Sequence, residues 1–252
     1  MPEHQFHTPQ PVELDVTVPL GDIDVETIDG DESFVSVEGS EKLVEQTIVE
    51  LRGRTLVVEL RGRKAFGITI AIGDFSFGSN SELKVRARIP HASRAEITTA
   101  SADMKLKGRF SELETKSASG DLALDGEVER NATVKTVSGD VRIGRIGGDL
   151  RLQSVSGDVR ADSVGGSAET KSVSGDIRLD SLREGRVSVT SVSGDIEIGV
   201  APGTNLDVDA GSVSGDLSSD VPLGSAPGGD AGGPNLVVRG NTVSGDFKVF
   251  RA

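Results

Sequence analysis

Seven aspartates close one repeated word, Ser/Thr-x-Ser-Gly-Asp, at Asp121, Asp140, Asp158, Asp176, Asp195, Asp216 and Asp246, spaced by 19, 18, 18, 19, 21 and 30 residues. A degraded copy, Ser-Ala-Asp, ends at Asp103, 18 residues before the first. Carboxylates held in one register can collect cations, or they can accept the amides of tight turns as Asx-type caps. Neighbouring carboxylates at strand spacing repel by roughly 1 kcal/mol in water before screening. A charge-assisted bond from a backbone N–H offsets that repulsion. The calcium-binding nonapeptide needs Gly-Gly-x-Gly-x-Asp, and this word lacks the second glycine and the alternate ligand. The column is therefore expected to be structural, a ladder of turn aspartates.

A second column follows two residues later, where Arg142, Arg160 and Arg178 share one strand position and Glu197 comes next. It is a candidate outward stripe for an anionic ligand, set against a solvated face whose charges pair with their neighbours. Thr136, Ser154, Ser172 and Ser191 form one hydroxyl row, and Ser138, Ser156, Ser174 and Ser193 another; both are expected to serve turns. His4 and His7 make an H-x-x-H pair in a terminus expected to fray, and His91 stands alone after Pro90, so no third zinc ligand is near. There is no cysteine for a thiolate, a disulfide or redox chemistry. No H-E-x-x-H, no G-x-S-x-G and no glycine loop ending in Lys-Ser or Lys-Thr is present. No catalytic residue, cofactor or metal site is expected. The enzyme alternative is a β-helix polysaccharide lyase or hydrolase using paired carboxylates. Against it, the chain has no Trp or Tyr to face a sugar ring, its eight Phe are expected in the core or caps, and its coils lack long loops.

The elements that must hold these columns are short strands. Val141, Ile143 and Ile146, then Leu150, Leu152 and Val155, alternate at period two, as do Val159, Ala161 and Val164, and Ile177, Leu179 and Leu182. Gly, Asp and Ser interrupt each run after about four residues. A strand pair this short cannot bury its apolar face alone, so successive coils must stack. The expected fold is all-β: a parallel β-solenoid (β-helix) of about 18 residues per coil with a two-sheet cross-section, right-handed by the rule for parallel connections. A hexapeptide left-handed helix fails, because counting by six from Val137 gives Ile143 and then Asp149.

One solenoid domain is expected over residues 1–252. Residues 1–92 hold longer strands covering one end, with a hairpin around Arg52, Gly53 and Arg54. Residues 93–252 hold the regular coils. The Pro/Gly-rich stretch at 221–235 reads as a loop. The closing DFKVFRA is expected to be the exposed edge, with Lys248 and Arg251 as its charged guards.

Hydrophobic residues make up 35% of the 252, with 32 glycines and a net charge of -13. The charge argues against nucleic acid, whose binding draws on clustered Lys and Arg. No stretch approaches 18 apolar residues and the N-terminus lacks the pattern of a secretory signal, so no membrane insertion and a cytoplasmic location are expected.

The S-V-S-G-D coils, the leading T-P-x-P-V-x-L-D-V-x-V-P-L-G-D from Thr8 to Asp22 and the closing T-V-S-G-D-F-K-V from Thr242 to Val249 resemble the bacterial "putative adhesin" family, domain of unknown function 4097, described as β-strand-repeat or toastrack proteins. The resemblance implies the fold over nearly the whole chain and brings no catalytic residues. It implies an adhesin-like binding or scaffold role, or an adaptor associated with envelope stress. An unidentified protein or ligand is the expected partner, with self-association through the solenoid ends.

Overall fold

The computed structural model describes residues 3–61, 83–221 and 233–252. They fall into two compact units, Met1–Gly126 and Glu127–Ala252.

The first unit contains β1 (Glu3–His7), β2 (Glu13–Ile28), β3 (Glu32–Glu38), the short helix α1 (Glu41–Gln46), β4 (Thr47–Arg52), β5 (Thr55–Leu60), β6 (Lys84–Pro90), β7 (Ser93–Lys116) and the start of β8 (Leu122–Val128). The long β2 and β7 run parallel side by side, and β2 then serves two ladders. Its first half also pairs with β5, placing Leu14 beside Leu56. Its second half pairs with β6, placing Val25 beside Ala87. Alternation does the sorting: Leu14, Val16 and Val18 are buried while Asp15 and Thr17 between them stay partly in solvent. The expected hairpin forms, with Arg52 opposite Thr55 across Gly53. His4 and His7 do not fray; they sit in β1, which pairs antiparallel with β3. That pairing satisfies backbone groups that a loose terminus would leave to water.

The second unit is a stack of rungs, most contributing two strands. In chain order these are β9 (Ala132–Lys135), β10 (Val141–Ile146), β11 (Leu150–Gln153), β12 (Val159–Val164), β13 (Ala168–Lys171), β14 (Ile177–Leu182), β15 (Gly185–Thr190), β16 (Ile196–Val200), β17 (Asn205–Ser214), β18 (Leu217–Ser219), β19 (Asn235–Ser244) and β20 (Phe247–Arg251). They form two parallel ladders, β9-β11-β13-β15-β19-β17 and β10-β12-β14-β16-β20-β18. Equivalent letters lie side by side: Val141 beside Val159, Val159 beside Ile177, Ile177 beside Ile196. All four are buried between the ladders.

The order of the last two rungs corrects the sequence expectation. The closing strand β20 is not an edge, because it pairs with β16 on one side and β18 on the other. The rung of β19 and β20 is interposed, and the terminal rung is that of β17 and β18. Burial explains the choice. The interposed rung offers Leu236, Val238, Phe247 and Val249, all buried, whereas the terminal rung exposes Leu217 and leaves Leu206 and Val208 half covered. Placing the more apolar rung inside removes more hydrocarbon from water. The rung left outside carries Asp207, Asp209, Asp216 and Asp220 and no Lys or Arg, charges of the kind that blunt a free sheet edge. The loop expected at 221–235 lies mostly outside the described residues.

Candidate functional site: the repeat surface of the second unit

The repeated word is a corner, and four of its five letters are spent on building it. The first hydroxyl donates to the carbonyl two residues on, from Thr136 to Ser138 (3.1 Å), Ser154 to Ser156 (3.2 Å), Ser172 to Ser174 (3.0 Å) and Ser191 to Ser193 (3.1 Å). These are local turns of the kind Ser and Thr favour. The third letter ties rung to rung through the backbone: the Ser156 amide donates to the Val137 carbonyl at 2.8 Å, and the Ser174 amide to that of Val155 at 2.9 Å. The glycine turns the chain.

Aspartates of successive words are bonded to one another along the stack. Five of them accept through Oδ1 the backbone amide of the aspartate on the next rung: Asp140 from Asp158 (3.0 Å), Asp158 from Asp176 (2.9 Å), Asp176 from Asp195 (2.8 Å), Asp195 from Asp246 (2.8 Å) and Asp246 from Asp216 (2.8 Å). In the first unit Asp103 likewise accepts the amide of Asp121 at 3.0 Å. A carboxylate bonded to an amide is what offsets the repulsion between stacked charges. Among the described residues no group of three or more His, Asp or Glu is placed to hold a metal ion.

The two roles of the carboxylate, acceptor and charge, can be separated at Asp176. Asp176→Ala removes the acceptor from the Asp195 amide and is expected to cost about 1 kcal/mol in urea unfolding. Asp176→Asn keeps an oxygen acceptor, removes a charge lying between two like charges, and is expected to be neutral or stabilising. Excess calcium should leave the melting temperature unchanged.

The opposite corner carries a second ladder that the sequence reading missed. The amide of Asp149 bonds Asn131 Oδ1 (3.0 Å), that of Ser167 bonds Asp149 Oδ1 (2.8 Å), and that of Arg186 bonds Ser167 Oγ (3.2 Å). The residue type changes at every rung, which hid the column; the shared signal was a side-chain oxygen at one register.

The second letter is the one the corner does not consume. Val137, Val155, Val173, Val192 and Val243 are 44 to 49% exposed, and Val213 on the terminal rung is 82% exposed. Val155 was expected in the core with Leu150 and Leu152, but β11 ends at Gln153 and the corner breaks the alternation before Val155 is reached. The arginines two residues after the aspartates do share a register, Arg142 beside Arg160 and Arg160 beside Arg178. Arg160 reaches Asp180 at 2.7 Å, while Arg178 bonds Asp180 and Glu197. The Asp180 hydrogen bond is the main cause that raises the Arg178 pKa further above its usual value. Two of the three arginines are thus engaged by carboxylates, as a solvated charged face predicts.

The profile of the toastrack family, domain of unknown function 4097, matches residues 13–250. The chain belongs to that family. Solved structures share the toastrack fold at low identity. A "putative adhesin" from Bacteroides fragilis is 15% identical with a TM-score of 0.53, over 98% of this chain and 95% of that one. A "putative adhesin" from Parabacteroides distasonis is 14% identical with a TM-score of 0.54, over 100% and 96%. A "putative lipid binding protein" from the same organism gives the same identity, TM-score and coverage. The comparison with curated proteins finds no match.

Two features of the first toastrack unit bear on catalysis. His91 is not alone: its Nδ1 lies 2.7 Å from Thr27 Oγ1, and its Nε2 lies 3.5 Å from Asp29 Oδ1. Hydroxyl, imidazole and carboxylate in that order resemble an activated nucleophile. Yet Thr27 is 5% exposed, and its Oγ1 accepts the Arg109 amide at 2.8 Å. The hydroxyl locks a corner between β2 and β7. A groove of about 580 Å³ also crosses the outer face of β3, β6, β2 and β7, lined by residues including Phe34, Arg86, Arg88 and Lys105. Phe34 faces this groove rather than the core, under the Arg88 guanidinium at 4.8 Å from the ring centroid. Within it Arg86 is held by Asp24 and Glu38, and Arg88 by Glu3.

Proposed function

We propose that this toastrack protein is a non-enzymatic, adhesin-like binding scaffold that works through the regular surface of its second unit. The carrying observation is how the repeated word divides its labour. Hydroxyl, amide, glycine and carboxylate are occupied in closing and stacking corners, and a half-exposed valine is left at the same place on every rung. A contiguous apolar column on a protein of net charge -13 is the kind of surface that marks an interaction site. The adhesin names of similar folds agree with this reading.

The test is capture from a lysate of the native cell with the whole chain and with Val155→Lys/Val173→Lys. Both sites are exposed, so circular dichroism melting should be unchanged. The expected result is a retained partner that the double variant loses. Identical capture by both proteins, or turnover of a polysaccharide panel by the purified chain, would overturn the reading.

A further inference from the structure

Deepening that reading of the valine column, the geometry also points to what covers it. In stack order the column runs Val137, Val155, Val173, Val192, Val243 and Val213, one per rung, about 4.8 Å apart. An extended strand laid along the column repeats on one face only every ~6.8 Å, and a helix advances about 5.4 Å per turn. Neither keeps step over several rungs. A second copy of the same stack does.

Charge then fixes the orientation. Two residues before the valines, the positions are Lys135, Gln153, Lys171, Thr190, Asn241 and Gly211, with no acid among them. Three residues after the valines come Asp140, Asp158, Asp176, Asp195, Asp246 and Asp216, all exposed. If two copies met with their stacks antiparallel, aspartate column would face aspartate column along the whole contact. With the stacks parallel, related by a two-fold axis along the stack, each lysine side faces the aspartate side of the other copy. Lys171 is held within its own copy by Glu169 at 2.6 Å and can reach across the contact by exchanging that exposed partner. The stack end is a poorer contact, because Asp207, Asp209, Asp216 and Asp220 would meet their own copies.

We propose that two copies of this chain pack flank to flank through the valine column, stacks parallel and rungs in register. Six rungs make a strip roughly 24 Å tall, which places the contact at the small, transient end of protein interfaces. Dimer is therefore expected at about 100 μM protein and monomer at about 1 μM.

Sedimentation of the full chain across that range should show the shift, and Val155→Lys/Val173→Lys should abolish it with no change in melting. Orientation is read with single cysteines, since the chain has none of its own. Val137→Cys should oxidise to a homodimer, because residue 137 faces residue 137 in the parallel arrangement. A wild-type chain that stays monomeric would overturn the proposal. So would Val137→Cys that fails to crosslink to itself yet crosslinks to Val213→Cys in a mixture, the antiparallel result. If the chain is monomeric but the lysine variant still loses its captured partner, the dimer is wrong and the binding-surface reading stands.

Discussion

Phe247→Ala is expected to destabilise the protein by about 3–5 kcal/mol, while Leu217→Ala costs under about 1 kcal/mol. Both residues follow the same Gly-Asp pair, and they stand side by side in register on β20 and β18. Their surroundings differ because of rung order. Phe247 is 2% exposed, covered by β16 on one side and β18 on the other, whereas Leu217 is 54% exposed on the terminal rung. Removing the ring leaves a cavity between two rungs that the backbone ladder holds open, so transfer and cavity costs add. Had the rungs stacked in chain order, Leu217 would lie inside and Phe247 would be the edge residue. The two costs would then exchange places. Urea unfolding of the two variants decides between the orders, and equal costs would count against the interposed rung.

Much of the second unit is legible in the sequence because its period is enforced by geometry. Val141, Ile143 and Ile146 alternate since a strand with one buried face must alternate, and the Asp of each word recurs since the amide it accepts belongs to the next rung. The errors arise where a local pattern has two continuations. Val155 keeps the parity of Leu150 and Leu152 on paper, but the strand has already ended and parity is lost in the corner. The words ending at Asp216 and Asp246 are both Ser/Thr-Val-Ser-Gly-Asp, so the word alone cannot order their rungs. The flanking residues, apolar in one and acidic and serine-rich in the other, decide it through burial. His91 looked solitary because Thr27, 64 residues away, is brought to it only by the pairing of β2 with β6 and β7. The outward valines could have been found from the word itself: a letter lying between two turn hydroxyls is inside a corner, where a side chain has no core to enter.

The glycine of the word should be the least replaceable of its letters. Gly157→Ala is expected to cost at least about 3 kcal/mol and to lower the melting temperature by roughly 10 °C. Two independent effects add at this position. Gly157 has φ +114°, a conformation that L side chains rarely adopt. A Cβ placed there would also stand 2.3 Å from the carbonyl oxygen of Gly139 on the rung below. That oxygen belongs to the backbone, so relief requires prising two rungs apart and weakening the bonds between them, among them the Asp158 amide to the Asp140 carboxylate. Gly53→Ala in the hairpin of the first unit is the control. Its φ is +64°, within the left-handed region open to other residues, and nothing lies within 4 Å of the added carbon. It pays only the conformational term, about 1 kcal/mol. A Gly157→Ala protein no less stable than Gly53→Ala would mean that the rungs do not approach as closely at their corners as the stack requires.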